Sequence, residues 1–281
     1  MCYFTFFNLR VLLVKLIALL LLISPFASGE DFLAKTFKQS KLINSGFLLD
    51  QSPFIVGTAR DIETGQFLYT ESHYVLENGQ KSLVVYSDSK DFVLAEKELN
   101  FSVDTSDTRP TLEQFNYLSG EKIKVESIGS LPIIMVKYQE TSGHQVENKE
   151  IKKTKHLVID AGFNQLIVNS WALLIKDEKI KFEYLAPSQQ STFTFIASRK
   201  DCKNTNLKNA LVECFSIAPK SWLMRQFVAP ISLVYDGSLK RLLRFSGLGN
   251  IGDVKGDYMM VDIEYEYFDK PSSVESSIVG L

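Results

Sequence analysis

The clearest pattern along the chain has a period of two. From Tyr258 to Phe268, Met259, Val261, Ile263, Tyr265 and Tyr267 alternate with Asp262, Glu264 and Glu266. This spacing sends apolar side chains to one face of a strand and acids to the other, as in antiparallel sheets with one wet face. Further β-rich runs precede it at 54–59, 66–76, 81–86, 92–101, 133–138, 181–185, 192–198, 211–217, 231–235 and 239–246. Turn chemistry separates several of them: Asp61 to Gly65, Asn78-Gly79, Ser119-Gly120 and Asp236-Gly237. Asn-Gly between two such runs predicts a hairpin, because both turn residues must accept positive φ.

One stretch has a helical period instead. After Asp160-Ala161-Gly162, large apolar residues fall at Phe163, Leu166, Ile167, Trp171 and Leu174, one face of a helix. Asp160 or Asn164 is placed to cap its N-terminus. Shorter helices are expected over 31–45, from Phe32, Leu33, Phe37 and Leu42, and over 220–227 after Pro219. Residues 140–155 are polar and read as a surface loop, with Lys149, Lys152, Lys153 and Lys155 on it. Strands recur without a helix between each pair, which argues against a parallel sheet. The expected class is mainly β (α+β): a curved antiparallel sheet or half-open β barrel with one central amphipathic helix.

The N-terminus reads as a secretory signal peptide over 1–29. Arg10 and Lys15 supply positive charge, an apolar run follows from Leu16 to Phe26, and Ala27-Ser28-Gly29 offers small residues for cleavage. The run is shorter than the roughly 20 residues a bilayer span needs, so no membrane span is expected after cleavage. Residues 30–52 then read as a helical or linker segment, 53–268 as one β-rich domain, and 269–281 as a flexible tail.

Removing 29 of the 281 residues leaves 252 and takes away two basic groups, so the formal charge moves from −2 to −4. That balance argues against nucleic acid as a partner and gives no overall attraction to anionic membranes. It also removes Cys2, leaving Cys202 and Cys214. These two flank a polar segment centred on Lys208, with strand-like runs outside them, so a hairpin would set them opposite each other. A disulfide between Cys202 and Cys214 is expected, and it fits an oxidising compartment. The rest of the composition, 45% apolar and 23% charged with mean hydropathy +0.00, is ordinary for a globular protein and excludes collagen-like and disordered chains.

Candidate chemistry is sparse. Gly247, Gly249 and Gly252 match G-x-G-x-x-G, but a turn-rich piece and a strand follow where a dinucleotide site needs a helix, so they read as turn glycines. His73, His144 and His156 lack metal spacing, and there is no H-E-x-x-H or G-x-S-x-G. Asp61 with Glu63, and Asp262 with Glu264 and Glu266, are acid groups; the second set lies on a polar strand face and reads as solvated. Asn100-Phe101-Ser102 is a glycosylation sequon, relevant in a eukaryotic secretory pathway. No cofactor is expected. The 12% aromatic content, with 20 Phe and 11 Tyr, suits either a dense core or the lining of an apolar cavity.

Three stretches together, 57–75 (GTARDIETGQFLYTESHYV), 157–171 (LVIDAGFNQLIVNSW) and 231–251 (ISLVYDGSLKRLLRFSGLGNI), resemble a family of uncharacterised exported proteins of Gram-negative bacteria. The order of elements is also similar, more distantly, to the half-open β barrels of periplasmic lipoprotein carriers. That resemblance implies a periplasmic location and a sheet wrapped around a helix with a concave apolar face; it brings no active-site residue. The expected function is that of a soluble periplasmic, non-catalytic protein binding an apolar ligand, such as a lipid or acyl chain, or an apolar protein segment. The alternatives are an envelope scaffold acting through protein contacts, and an envelope glycan or lipid hydrolase in which Asp61 or Asp160 would converge with His73.

Overall fold

A computed structural model describes residues 52–76, 80–101, 107–202 and 211–268. The expected signal peptide, the helix expected at 31–45, the expected Asn78-Gly79 turn, Ser102 of the sequon and the expected tail lie outside the described residues.

The protein is mainly β, with its strands in one curved, unclosed sheet. The first half of the chain supplies β1 (Ile55–Asp61), β2 (Phe67–Leu76), β3 (Lys81–Ser87), β4 (Val93–Asn100), β5 (Thr111–Asn116), β6 (Lys122–Ser127), β7 (Ile133–Gln139) and β8 (Glu147–Lys152). After the short β9 (Leu157–Ile159) come helices α1 (Gly162–Asn169) and α2 (Trp171–Leu174). Then follow β10 (Ile180–Ala186), β11 (Ser191–Lys200), β12 (Val212–Pro219), β13 (Ile231–Asp236), β14 (Leu242–Gly252) and β15 (Tyr258–Tyr267). β1–β8 and β10–β15 are each a meander, and the two meet at the sheet's centre, where β1 pairs antiparallel with β15 from Ile55↔Tyr267 to Asp61↔Val261. The free edges are β8 and β9, neighbours in sequence.

Curvature brings the two halves together over a filled interior. Leu99, Leu112, Ile123, Val125, Ile134 and Val136 of β4–β7 pack against Leu157, Ile159 and Leu185 of β9 and β10. Next to them, Ala59, Tyr69, Val84, Tyr86 and Ala95 pack with Ile251, Val261 and Ile263. Polar bonds stitch the same seam: Gln114 Nε2 donates to Asn250 O and Asn116 Nδ2 to Gly252 O, both at 2.8 Å.

The helix lies where its apolar period requires. Ile167, Trp171 and Leu174 are buried against Phe182, Ala197, Phe215, Leu233 and Tyr235, with Phe163 and Leu166 beside them. Trp171 meets Phe215 and Tyr235 edge-on, at centroid distances of 5.2 and 5.8 Å. Several details depart from expectation. The helix breaks at Ser170, whose φ of −96° and ψ of 6° split it into α1 and α2. Neither Asp160 nor Asn164 caps it: the cap position is Ala161 without a side-chain bond, and Asn164 Oδ1 accepts from Tyr235 Oη at 2.9 Å. Gly162 begins the helix because a Cβ there would stand 2.0 Å from Thr108 O.

Three other corrections concern strands. β9 and β10 run parallel, Leu157 opposite Glu183, so one βαβ unit interrupts the antiparallel order. Residues 147–152 of the expected polar loop form β8, an edge strand whose lysines stay in water; charged side chains there discourage further pairing. Gly247, Gly249 and Gly252 lie inside β14 rather than in a turn, and a Cβ on Gly249 would sit 3.3 Å from Tyr69 Oη. Segment 220–227 contains one 3₁₀ turn, Met224–Gln226, in place of a short α-helix.

Candidate functional site

Strand periodicity explains how charge enters the interior. On β2 the inward side chains include Tyr69 and Glu71, and on β4 they are Ala95, Lys97 and Leu99, so each core stripe carries one ionisable residue. Glu71 is 3% exposed and accepts from Tyr265 Oη at 3.1 Å, with His73 Nε2 at 3.4 Å from the same oxygen. Burial first, and the Glu71 charge second, push the Tyr69, Tyr86 and Tyr265 hydroxyls well above their ordinary pKa. These phenols stay neutral.

Lys97 Nζ lies 2.9 and 3.2 Å from the Asp160 carboxylate oxygens and 5.8 Å from the centre of the Tyr86 ring. Asp160 has φ of +43° and its Oδ1 also accepts from Ala161 N–H at 2.7 Å, so the turn out of β9 is built around the pair. Asp tolerates this left-handed conformation better than most residues.

A third polar group closes the end of the seam. Glu121, 5% exposed, accepts from Tyr258 Oη at 2.6 Å and Tyr138 Oη at 3.3 Å through Oε1. Its Oε2 is buried without a hydrogen bond. Burial raises the Glu121 pKa above the usual carboxylate range, against the lowering effect of the two tyrosines. Each of the three clusters ties one part of the fold to another: Glu71 to Tyr265, Lys97 to Asp160, and Glu121 to Tyr138 and Tyr258.

The acids and histidines considered from sequence do not converge. Asp61 sits in an exposed turn, accepting from Glu63 and Thr64 N–H, which lowers its pKa. Asp160 is engaged with Lys97, and His73 with Glu71. His144 contacts Thr141 in another exposed turn, and the exposed His156 gives its backbone oxygen to Glu183 N–H. Asp262 is held by Arg244 and Ser246, while Glu264 and Glu266 face solvent. Asp236 braces the β13–β14 turn through Ser238 and Leu239 N–H. Among the described residues, no group of three His, Cys, Asp or Glu side chains gathers in metal-binding geometry.

Cys202 and Cys214 form a disulfide with a Cα–Cα distance of 5.3 Å. The register differs from the expected one: Lys200, not Cys202, is the direct partner of Cys214, so the bridge is diagonal, just past the end of β11.

Among the described residues the interior is packed with large side chains: Tyr69, Tyr86, Phe182, Phe215 and Tyr235 are all fully buried in it. A shallow groove of about 190 Å³ on β4–β6 is lined mainly by polar and charged groups, including Glu98, Glu113, Lys124 and Glu126. Apolar surface instead appears on the loop between β12 and β13. There Trp222 and Phe227 are each 73% exposed and Leu223 is 55% exposed. The loop is held by Lys220 N–H to Thr194 O at 2.9 Å, Arg225 Nε to Pro219 O at 2.6 Å and Val228 N–H to Met224 O at 2.8 Å. Its sequence signal was the position of Trp222, Leu223 and Phe227 between Pro219 and Pro230.

No protein-family model matches the chain, and no curated protein matches it.

Proposed function

We propose that this is a non-catalytic exported binding protein that works through an external apolar contact, its β12–β13 loop, rather than through a hollow sheet. The single observation that carries this reading is the exposure of Trp222, Leu223 and Phe227 on a loop whose base is tied to β11 by Lys220 N–H to Thr194 O and to the end of β12 by Arg225 Nε to Pro219 O. Solitary exposed apolar residues are normal, but three large ones on one loop favour an interaction surface. The filled interior supports moving the apolar contact from the inside of the sheet to its end. The leader-like N-terminus, the disulfide and the resemblance to exported Gram-negative proteins support a periplasmic setting.

The test is a photo-cross-linking residue at position 223 in the protein expressed in its Gram-negative host. The expected result is a discrete adduct, either lipid or protein, that is missing when the same residue is placed at exposed Lys149 on β8. No adduct at 223 above that control would overturn the reading.

A further inference from the structure

We propose that the β12–β13 loop docks on an anionic lipid surface, inserting Trp222, Leu223 and Phe227 among the headgroups. This rests on the preceding reading that the loop is the contact surface, and it names the partner.

Two observations select lipid over a protein segment. The first is shape. The apolar side chains are each more than half exposed, Trp222 and Phe227 at 73%. A groove that receives a helix or strand partly buries its own lining, whereas these side chains stand out from the fold. A protrusion of this kind suits a deformable medium. The second is charge. Residues 220–230 (KSWLMRQFVAP) contain Lys220 and Arg225 and no acid, although the mature chain as a whole is acidic. Cations beside Trp, Leu and Phe match the boundary between anionic headgroups and acyl chains. The loop therefore carries a local attraction that the total charge conceals.

The anchoring of the loop fits shallow insertion. Arg225 Nε holds Pro219 O at 2.6 Å and Lys220 N–H holds Thr194 O at 2.9 Å, so the apolar tips are presented without first being ordered. Among the described residues no helix is long and apolar enough to cross a membrane.

The experiment uses the mature protein with vesicles of phosphatidylethanolamine and phosphatidylglycerol, and with neutral phosphatidylcholine vesicles for comparison. The chain has two tryptophans, and Trp171 is packed between Phe215 and Tyr235, so any emission change reports Trp222. The expected result is a blue shift and flotation with the anionic vesicles, weaker with the neutral ones. W222A/F227A should reduce the floated fraction at least about tenfold. Lys220→Gln should weaken binding to anionic vesicles about fivefold and leave the neutral control unchanged. Both variants change exposed side chains, and matching unfolding midpoints establish that the fold is intact.

Absence of flotation and of a blue shift would overturn the lipid proposal. So would unchanged flotation of W222A/F227A, or a position-223 cross-link that yields a protein adduct and no lipid adduct. That last result would leave the loop as the contact surface, so the two readings fail separately.

Discussion

Lys97 on β4 and Asp160 at the exit of β9 are 63 residues apart in sequence and 2.9 Å apart in space, forming a largely buried ion pair between the first half of the chain and the turn that starts the helix. Its value lies in the pairing rather than in either charge. Asp160→Asn keeps the left-handed turn accessible but leaves Lys97 as an uncompensated interior cation. A loss of about 3 kcal/mol is expected in urea unfolding. Adding Lys97→Met should recover much of it, because two neutral groups replace a stranded charge. If the double variant is as unstable as the sum of both single ones, the pair does not act as a unit.

Glu121 gives the fold a pH dependence of definite sign. Burial raises its pKa in the native state above the ordinary value of 4.5. The native state therefore retains a proton that the unfolded chain has released. Its contribution is full below about pH 4.5 and is lost as the pH rises through the native pKa. Glu121→Gln keeps an acceptor for Tyr258 and does not ionise. The stability of E121Q relative to the parent should improve between about pH 4 and pH 8; a constant difference across that range would contradict this account.

The entry to α1 depends on the missing side chain of Gly162. A Cβ would fall 2.0 Å from Thr108 O, a backbone atom that also accepts from Ile159 N–H. Gly162→Ala must shift either the helix or the segment before β5. The expected cost is about 3 kcal/mol by thermal or urea unfolding, more than the small helix-propensity gain of Ala could offset.

The Cys202–Cys214 bridge closes a short loop at the end of the β11–β12 hairpin. Replacing both cysteines with Ser should lower stability by about 3 kcal/mol, through the larger freedom of the unfolded chain. Alkylation and mass measurement on the protein purified from its host, with and without reductant, should reveal the thiols of Cys202 and Cys214 only after reduction.

Much of the sheet was legible because most strands bury one face. The alternation of 258–268 became β15, and the five apolar positions from Phe163 to Leu174 all joined one core cluster. β8 was hidden because it is an exposed edge strand with charged residues on both faces, so it has no apolar period. β9 was hidden for the opposite reason: Leu157, Val158 and Ile159 are buried on both sides, and three residues are too few to show a period. Its parallel pairing with β10 is a tertiary fact with no local signal. The same limit applied to the candidate site. Sequence named Trp222, Leu223 and Phe227 as helix residues, and their exposure became visible once the loop was fixed against β11. The interior charges were visible as residues but not as partners, since Lys97 and Asp160 find each other through the sheet's curvature.

The pairing of β1 with β15 also sets an order in time. A ribosome makes the strand that begins the sheet long before the strand that lies beside it. Until residues 258–267 emerge, one side of β1 presents unsatisfied backbone groups at what will be the middle of the sheet. An open edge of that kind recruits other chains. The nascent first half is therefore the sticky form of this protein, and completion of its last strand is what seals it.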